Sequence, residues 1–141
     1  RSGSWGDFDN DGHLDLFVAN SGNNFLYHNE GSGSLVKVTN GPVVNDGGDS
    51  YGSSWGAFDN DGDLDLFVTN FDENNFLYRN EGNGSFFKIT SGPVVTDGGD
   101  SFGSSWGDYD NDGDLDLAVT GTDLTNHTQP DTRLLPTKPP I

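Results

Sequence analysis

The sequence predicts an all-β protein, a partial β-propeller of four-stranded antiparallel blades. Three observations carry that prediction. A block of about fifty residues recurs, its apolar residues alternate as they do in strands, and no segment has a sustained apolar stripe at helical spacing. Ser4-Trp5-Gly6-Asp7-Phe8-Asp9-Asn10-Asp11-Gly12 returns with small changes at 54–62 and at 105–113, and Trp5, Trp55 and Trp106 stand 50 and 51 residues apart. The segments between recur too. Asn23-Asn24-Phe25-Leu26-Tyr27 matches Asn74-Asn75-Phe76-Leu77-Tyr78, and Gly41-Pro42-Val43-Val44 matches Gly92-Pro93-Val94-Val95.

Each strand of the unit follows from local pattern. Residues 52–58 contain the Trp and lead into an acidic loop. Residues 64–68 alternate strictly, placing Leu64, Leu66 and Val68 on one face. Residues 75–79 and 86–90 are short apolar runs bounded by Asn, Gly and Ser, which read as strands between turns. Four short strands per fifty residues make one propeller blade. The chain then divides into blade repeat 1 at 1–50, lacking the start of its first strand, and blade repeat 2 at 51–101. Half of blade repeat 3 follows at 102–121, then a tail at 122–141 that does not repeat and holds four of the six prolines. A blade buries its faces only against neighbouring blades, so two and a half repeats do not close a ring alone.

Composition narrows the function. The 141 residues carry 23 Asp+Glu against 6 Lys+Arg, a net charge of −17. Such a chain repels nucleic-acid phosphate rather than neutralising it. It has neither a long apolar span nor the basic face of a membrane-surface helix, so neither nucleic-acid binding nor membrane insertion is expected. There is no cysteine, which removes disulfides and thiolate metal sites, and no signal-peptide apolar region is seen. Leu, Ile, Val and Phe make up 33 of the residues, near the floor for a folded chain of high charge. The charge is therefore either diffuse in a solvated coil or organised around cations.

Its distribution favours cations. Thirteen of the 23 acidic residues fall in three nine-residue loops with the pattern Asp-x-Asp-x-Asp-Gly-x-x-Asp. Crowded carboxylates need a counter-charge, and Ca²⁺ takes 6–8 oxygens from carboxylates, carbonyls and water at about 2.3–2.6 Å. Positions 1, 3 and 5 turn inward, Gly at position 6 allows the reversal, position 7 offers its carbonyl and Asp at position 9 closes the shell. Loop 1 thus offers Asp7, Asp9, Asp11, the His13 carbonyl and Asp15. In loop 3 the set is Asp108, Asp110, Asp112, the Asp114 carbonyl and Asp116. Loop 2 has Ala57 at position 1 and keeps Asp59, Asp61, the Asp63 carbonyl and Asp65. Up to three Ca²⁺ are expected, with the loop 2 site weakest. The loops hold no soft ligand, which argues against zinc or copper, and Mg²⁺ ranks second because it demands a tighter octahedron. An EF-hand is excluded, because Val18, Val68 and Val119 stand where its bidentate Glu belongs and a strand, not a helix, follows.

These residues resemble the FG-GAP and VCBS-like repeats of integrin-alpha-type propellers, particularly bacterial secreted ones. Phe102-Gly103 stands where that family has its Phe-Gly pair, Tyr51-Gly52 is a variant of it, and residues 108–117 look like its calcium loop. The resemblance covers residues 1 to about 121. It implies calcium as a structural ion and service in adhesion, ligand recognition or non-catalytic parts of secreted proteins.

Other residues read more plainly. One Trp per blade at constant phase suits inter-blade core better than a sugar-stacking platform. His13 at loop position 7 is expected to be solvated, His28 aligns with Arg79 and shares no recurring role, and His127 lies in the tail. Asn83-Gly84-Ser85 and Asn126-His127-Thr128 fit the glycosylation pattern. No recurring Ser, His and Asp arrangement suggests catalysis. The expectation is a non-catalytic calcium-binding extracellular or cell-surface module whose ligand is a protein or glycan. The alternatives are a subunit that self-associates through unfinished blades and a lectin.

Overall fold

The strand pattern read from the sequence is the pattern that forms. The computed structural model describes residues 1–96, 98–123 and 126–135, with side chains as far as Thr122. Leu124, Thr125, the prolines at 136, 139 and 140 and the side chain of His127 lie outside what is described.

Blade 1 is the antiparallel sheet of β1 (Gly3–Gly6), β2 (Asp15–Val18), β3 (Phe25–Asn29) and β4 (Leu35–Lys37), paired in that order. A short helical turn, α1 (Pro42–Asn45), then leads to blade 2. That blade comprises β5 (Ser50–Gly56), β6 (Asp65–Asn70), β7 (Phe76–Asn80) and β8 (Phe86–Ile89). A second helical turn, α2 (Pro93–Thr96), precedes β9 (Asp100–Gly107), β10 (Asp116–Asp123) and β11 (Asn126–Leu135), which pair in the order β11-β10-β9. Register repeats with the sequence: Trp5 faces Leu16, Trp55 faces Leu66 and Trp106 faces Leu117. β11 falls in the segment that does not repeat, yet it pairs along β10 as β3 and β7 pair in their own blades.

The two helical turns are absent from the strand reading. They sit on the recurring Gly-Pro-Val-Val, where proline at the first helical position suits the helix and the valines plug the core. Val43, Val44 and Val95 are buried.

The core lies between blades. Alternation sends successive residues of β6 to opposite faces, and each face meets a different neighbour. Leu66, Val68, Phe76 and Tyr78 pack with Phe8, Phe17 and Leu26 of blade 1. Phe67 and Leu77 pack with Leu117 and Val119 of blade 3. All six residues of β6 are therefore buried. Leu64, expected on the same face as Leu66, is only half-buried just before the strand.

The tryptophans lock neighbouring blades. A Cβ on Gly6 would lie 2.8 Å from Trp55 Cγ, and one on Gly56 2.6 Å from Trp106 Cγ, so each indole rests on glycine backbone that no side chain covers. The indole N–H groups point back to the Ser4 and Ser54 carbonyls at 3.4 Å. Ser4 and Ser53 Oγ meet at 2.7 Å, as do Ser54 and Ser104. Trp55 and Trp106 thus take the inter-blade position, while Trp5 is 57% exposed.

Candidate metal centres

Each acidic loop joins the first and second strands of a blade, and its shape follows from short polar side chains and two left-handed residues. In loop 1 Asn10 has φ 58° and Gly12 φ 89°, and the pair recurs as Asn60 and Gly62 and as Asn111 and Gly113. Asn is among the few side chains that tolerate this region. The amides so exposed bond to carboxylates within the loop. Asp7 accepts from the backbone N–H of Asp11 at 3.1 Å and of Gly12 at 2.9 Å, and Asp11 accepts from His13 N–H at 2.8 Å. Loop 3 repeats this: Asp108 accepts from Asp112 at 3.1 Å and Gly113 at 3.0 Å, and Asp112 accepts from Asp114 at 2.9 Å. Loop 2 keeps the Asp61 to Asp63 turn at 2.9 Å but, with Ala57, has no side chain to make the first two bonds.

The ninth-position carboxylates are pins. Asp15 and Asp65 are wholly buried and Asp116 nearly so. Asp15 accepts from the backbone N–H of Phe8 at 3.0 Å and of Asn29 at 2.8 Å, tying the loop's entrance to the end of β3. Asp65 does the same with Phe58 at 2.9 Å and Asn80 at 2.8 Å. Burial raises the Asp15 carboxyl despite these bonds, and raises Asp65 to about 7. Asp59 is raised by burial as well, whereas the His13 backbone N–H lowers exposed Asp11.

The structure brings carboxylates together in two of the three loops. Ligand oxygens of Asp7, Asp9 and Asp11 lie within 4.8 Å of one another, and so do those of Asp108, Asp110 and Asp116. Among the described residues no such trio forms from Asp59, Asp61 and Asp65, in keeping with the missing carboxylate at Ala57. Asp112 stands outside the loop 3 trio. At the seventh positions, Asp63 and Asp114 turn their side chains to the preceding loop, accepting from Asn10 and Asn60 Nδ2 at 2.6 Å. His13 is about half exposed, with Nδ1 3.1 Å from Asp11. An all-oxygen set of this kind fits a hard divalent cation, and three carboxylates within 4.8 Å repel one another without a counter-charge.

One residue that loop reading passes over belongs here. His28, on β3, places Nδ1 3.2 Å from Asp9 Oδ2 and 3.2 Å from Asp15 Oδ1. Its alignment with Arg79 hides this, because only the pairing of β3 beside β2 brings it to the loop. The Asn29 and Asn80 side chains donate to Leu14 O at 3.0 Å and Leu64 O at 3.1 Å; sequence shows them as a repeat but not as part of the loop.

Tandem four-stranded sheets, each with a glycine-turned acidic loop between its first two strands, define a blade-repeat protein. The chain belongs to the FG-GAP-like repeat family, whose sequence profile matches residues 7–68 and again 58–119. No curated protein matches the chain. No helix among the described residues is long and apolar enough to cross a membrane.

Proposed function

We propose that this chain is a calcium-stabilised extracellular module for adhesion or ligand recognition, without a catalytic role of its own. The observation that carries the reading is the pair of carboxylate trios in loops 1 and 3, each formed on the same glycine-turned frame. In this reading Asp7, Asp9, Asp11 and Asp15 with the His13 carbonyl hold one ion. Asp108, Asp110, Asp112 and Asp116 with the Asp114 carbonyl hold a second. Asp59, Asp61 and Asp65 with the Asp63 carbonyl form the weakest site. The ion replaces carboxylate repulsion with coordination, so binding is coupled to folding. Partner contacts fall on inter-strand loops at one end of the blades. The test is thermal unfolding in millimolar calcium and in excess EDTA. The expected result is a clear rise in Tm with calcium, and equal Tm values would sink the reading.

A second reading, a subunit of a larger assembly, is favoured by Trp5. Its two counterparts sit on glycines of the preceding blade, while Trp5 presents its indole to solvent. Another blade would cover it, whether from a longer chain or a second copy. Light scattering with and without EDTA separates the readings, since calcium-dependent large species support assembly and a discrete monomer supports the module.

A further inference from the structure

We infer that repeat 1 holds a site for a borderline divalent transition cation such as Zn²⁺, made by Asp9, Asp15 and Nδ1 of His28. The inference rests on the metal reading of the acidic loops and names a different ion for one of them. His28 Nδ1 is sealed from solvent and makes a hydrogen bond with neither carboxylate, although both stand 3.2 Å away. A buried ring nitrogen flanked by two oxygens in this way is poorly placed to donate. The spacing instead suits ligands around a shared ion, since metal–ligand bonds of about 2.1 Å set neighbouring ligand atoms roughly 3.0–3.4 Å apart. All three ligand atoms lie within 4.8 Å of one another, and Asp15, wholly buried, is already fixed by two backbone amides. That outer support orients a metal ligand. Phe8 adds an apolar wall, its ring 6.2 Å from the imidazole and nearly perpendicular to it.

Among the described residues no other repeat brings a histidine nitrogen to its loop. In repeat 2 the matching residue is Arg79, a cation that bonds Glu81 at 2.7 Å and lies over the Phe87 ring at 5.5 Å. The loop 3 trio is oxygen only. Imidazole raises affinity for zinc and its neighbours far more than for calcium, which prefers hard oxygen. Among the described residues there is therefore one mixed nitrogen–oxygen group beside the oxygen-only trios. The competing account is a protonated His28 paired with Asp9 and Asp15.

The experiment is calorimetric titration of the untagged full chain with Zn²⁺ in millimolar calcium, for wild type, His28→Gln, His28→Arg and His13→Ala. The expected result is one Zn²⁺ site, weakened at least about tenfold in both His28 variants and unchanged in His13→Ala. Absence of a Zn²⁺ site in the wild type, or equal affinity in His28→Gln, overturns the inference, as does loss in His13→Ala alone. A histidine ¹⁵N spectrum of the wild type guards against a misfolded variant: Zn²⁺ must shift His28 Nδ1, and an unmoved signal refutes the site. Calcium titration of the same wild-type protein reads loop 3, whose Asp108, Asp110 and Asp116 share no residue with the Asp9, Asp15 and His28 site, so either reading fails without the other.

Discussion

Asn10 donates its side-chain amide to Asp63 Oδ1 at 2.6 Å, 53 residues along the chain, and Asn60 repeats the bond to Asp114 at the same length. Each bond ties position 4 of one acidic loop to position 7 of the next, so the three loops form a linked row. Asn10 also carries φ 58°, and the two duties are separable. Asn10→Gly loses only the bond, about 0.5–1 kcal/mol. Asn10→Ala loses the bond and strains the left-handed backbone, about 1–2 kcal/mol more. Urea unfolding in EDTA reads both, and equal losses would refute the backbone contribution.

The indole-on-glycine contact makes a sharp steric prediction. Gly6→Ala sets a Cβ 2.8 Å from Trp55 Cγ, inside any normal contact. Overpacking of this kind costs about 1–3 kcal/mol, and Gly56→Ala against Trp106 does the same. Gly107 has nothing within 4 Å, so Gly107→Ala is the internal control. Chemical denaturation should rank the first two well below the third, and parity among the three would contradict the packing.

Asp65 predicts a pH dependence. Burial raises its folded carboxyl to about 7, above the unfolded value of about 3.9. The folded chain therefore binds this proton more tightly than the unfolded one. The resulting stabilisation is fully present below about pH 4 and is lost as pH rises through about 7. In EDTA, raising the pH from about 5 to about 8 lowers Tm through this group. Asp65→Asn flattens that part of the profile and weakens the fold at every pH by about 1–3 kcal/mol. One amide oxygen does not serve both Phe58 N–H and Asn80 N–H. A variant profile parallel to the wild type would reject Asp65 as its source.

Restoring the missing carboxylate tests the loop pattern directly. Ala57→Asp should tighten the loop 2 calcium site about tenfold, equivalent to ~1.4 kcal/mol. The introduced carboxylate should also accept from the Asp61 and Gly62 amides, as Asp7 accepts from those of Asp11 and Gly12. A calcium isotherm with a weak class in the wild type and none in the variant is the expected outcome. Identical isotherms would remove position 1 from the ligand set.

Much of this architecture is legible in the sequence because it is written three times. Strand bounds near 64–68 follow from alternation and those near 75–79 from a short apolar run between turn residues, and β6 and β7 form there. The helical turns at Pro42–Asn45 and Pro93–Thr96 escape it, since four residues are too few to show a period. The loop acids are legible by spacing, which is local. His28 is not, because its approach to Asp9 depends on pairing between strands rather than on spacing within one. Spacing marks Asp63 and Asp114 for their carbonyls, yet their carboxylates bridge to the preceding loop, a contact that exists only once blades stack.

The complete burial of β6 has a kinetic corollary. Fraying of blade 1 uncovers one side of that strand and fraying of blade 3 the other, so exposing both requires two separate openings. Amide hydrogens of Leu66 to Thr69 should then exchange with solvent last, and protection should fall off outward through blades 1 and 3. Of the three blades, blade 2 packs on both sides and is expected to open last.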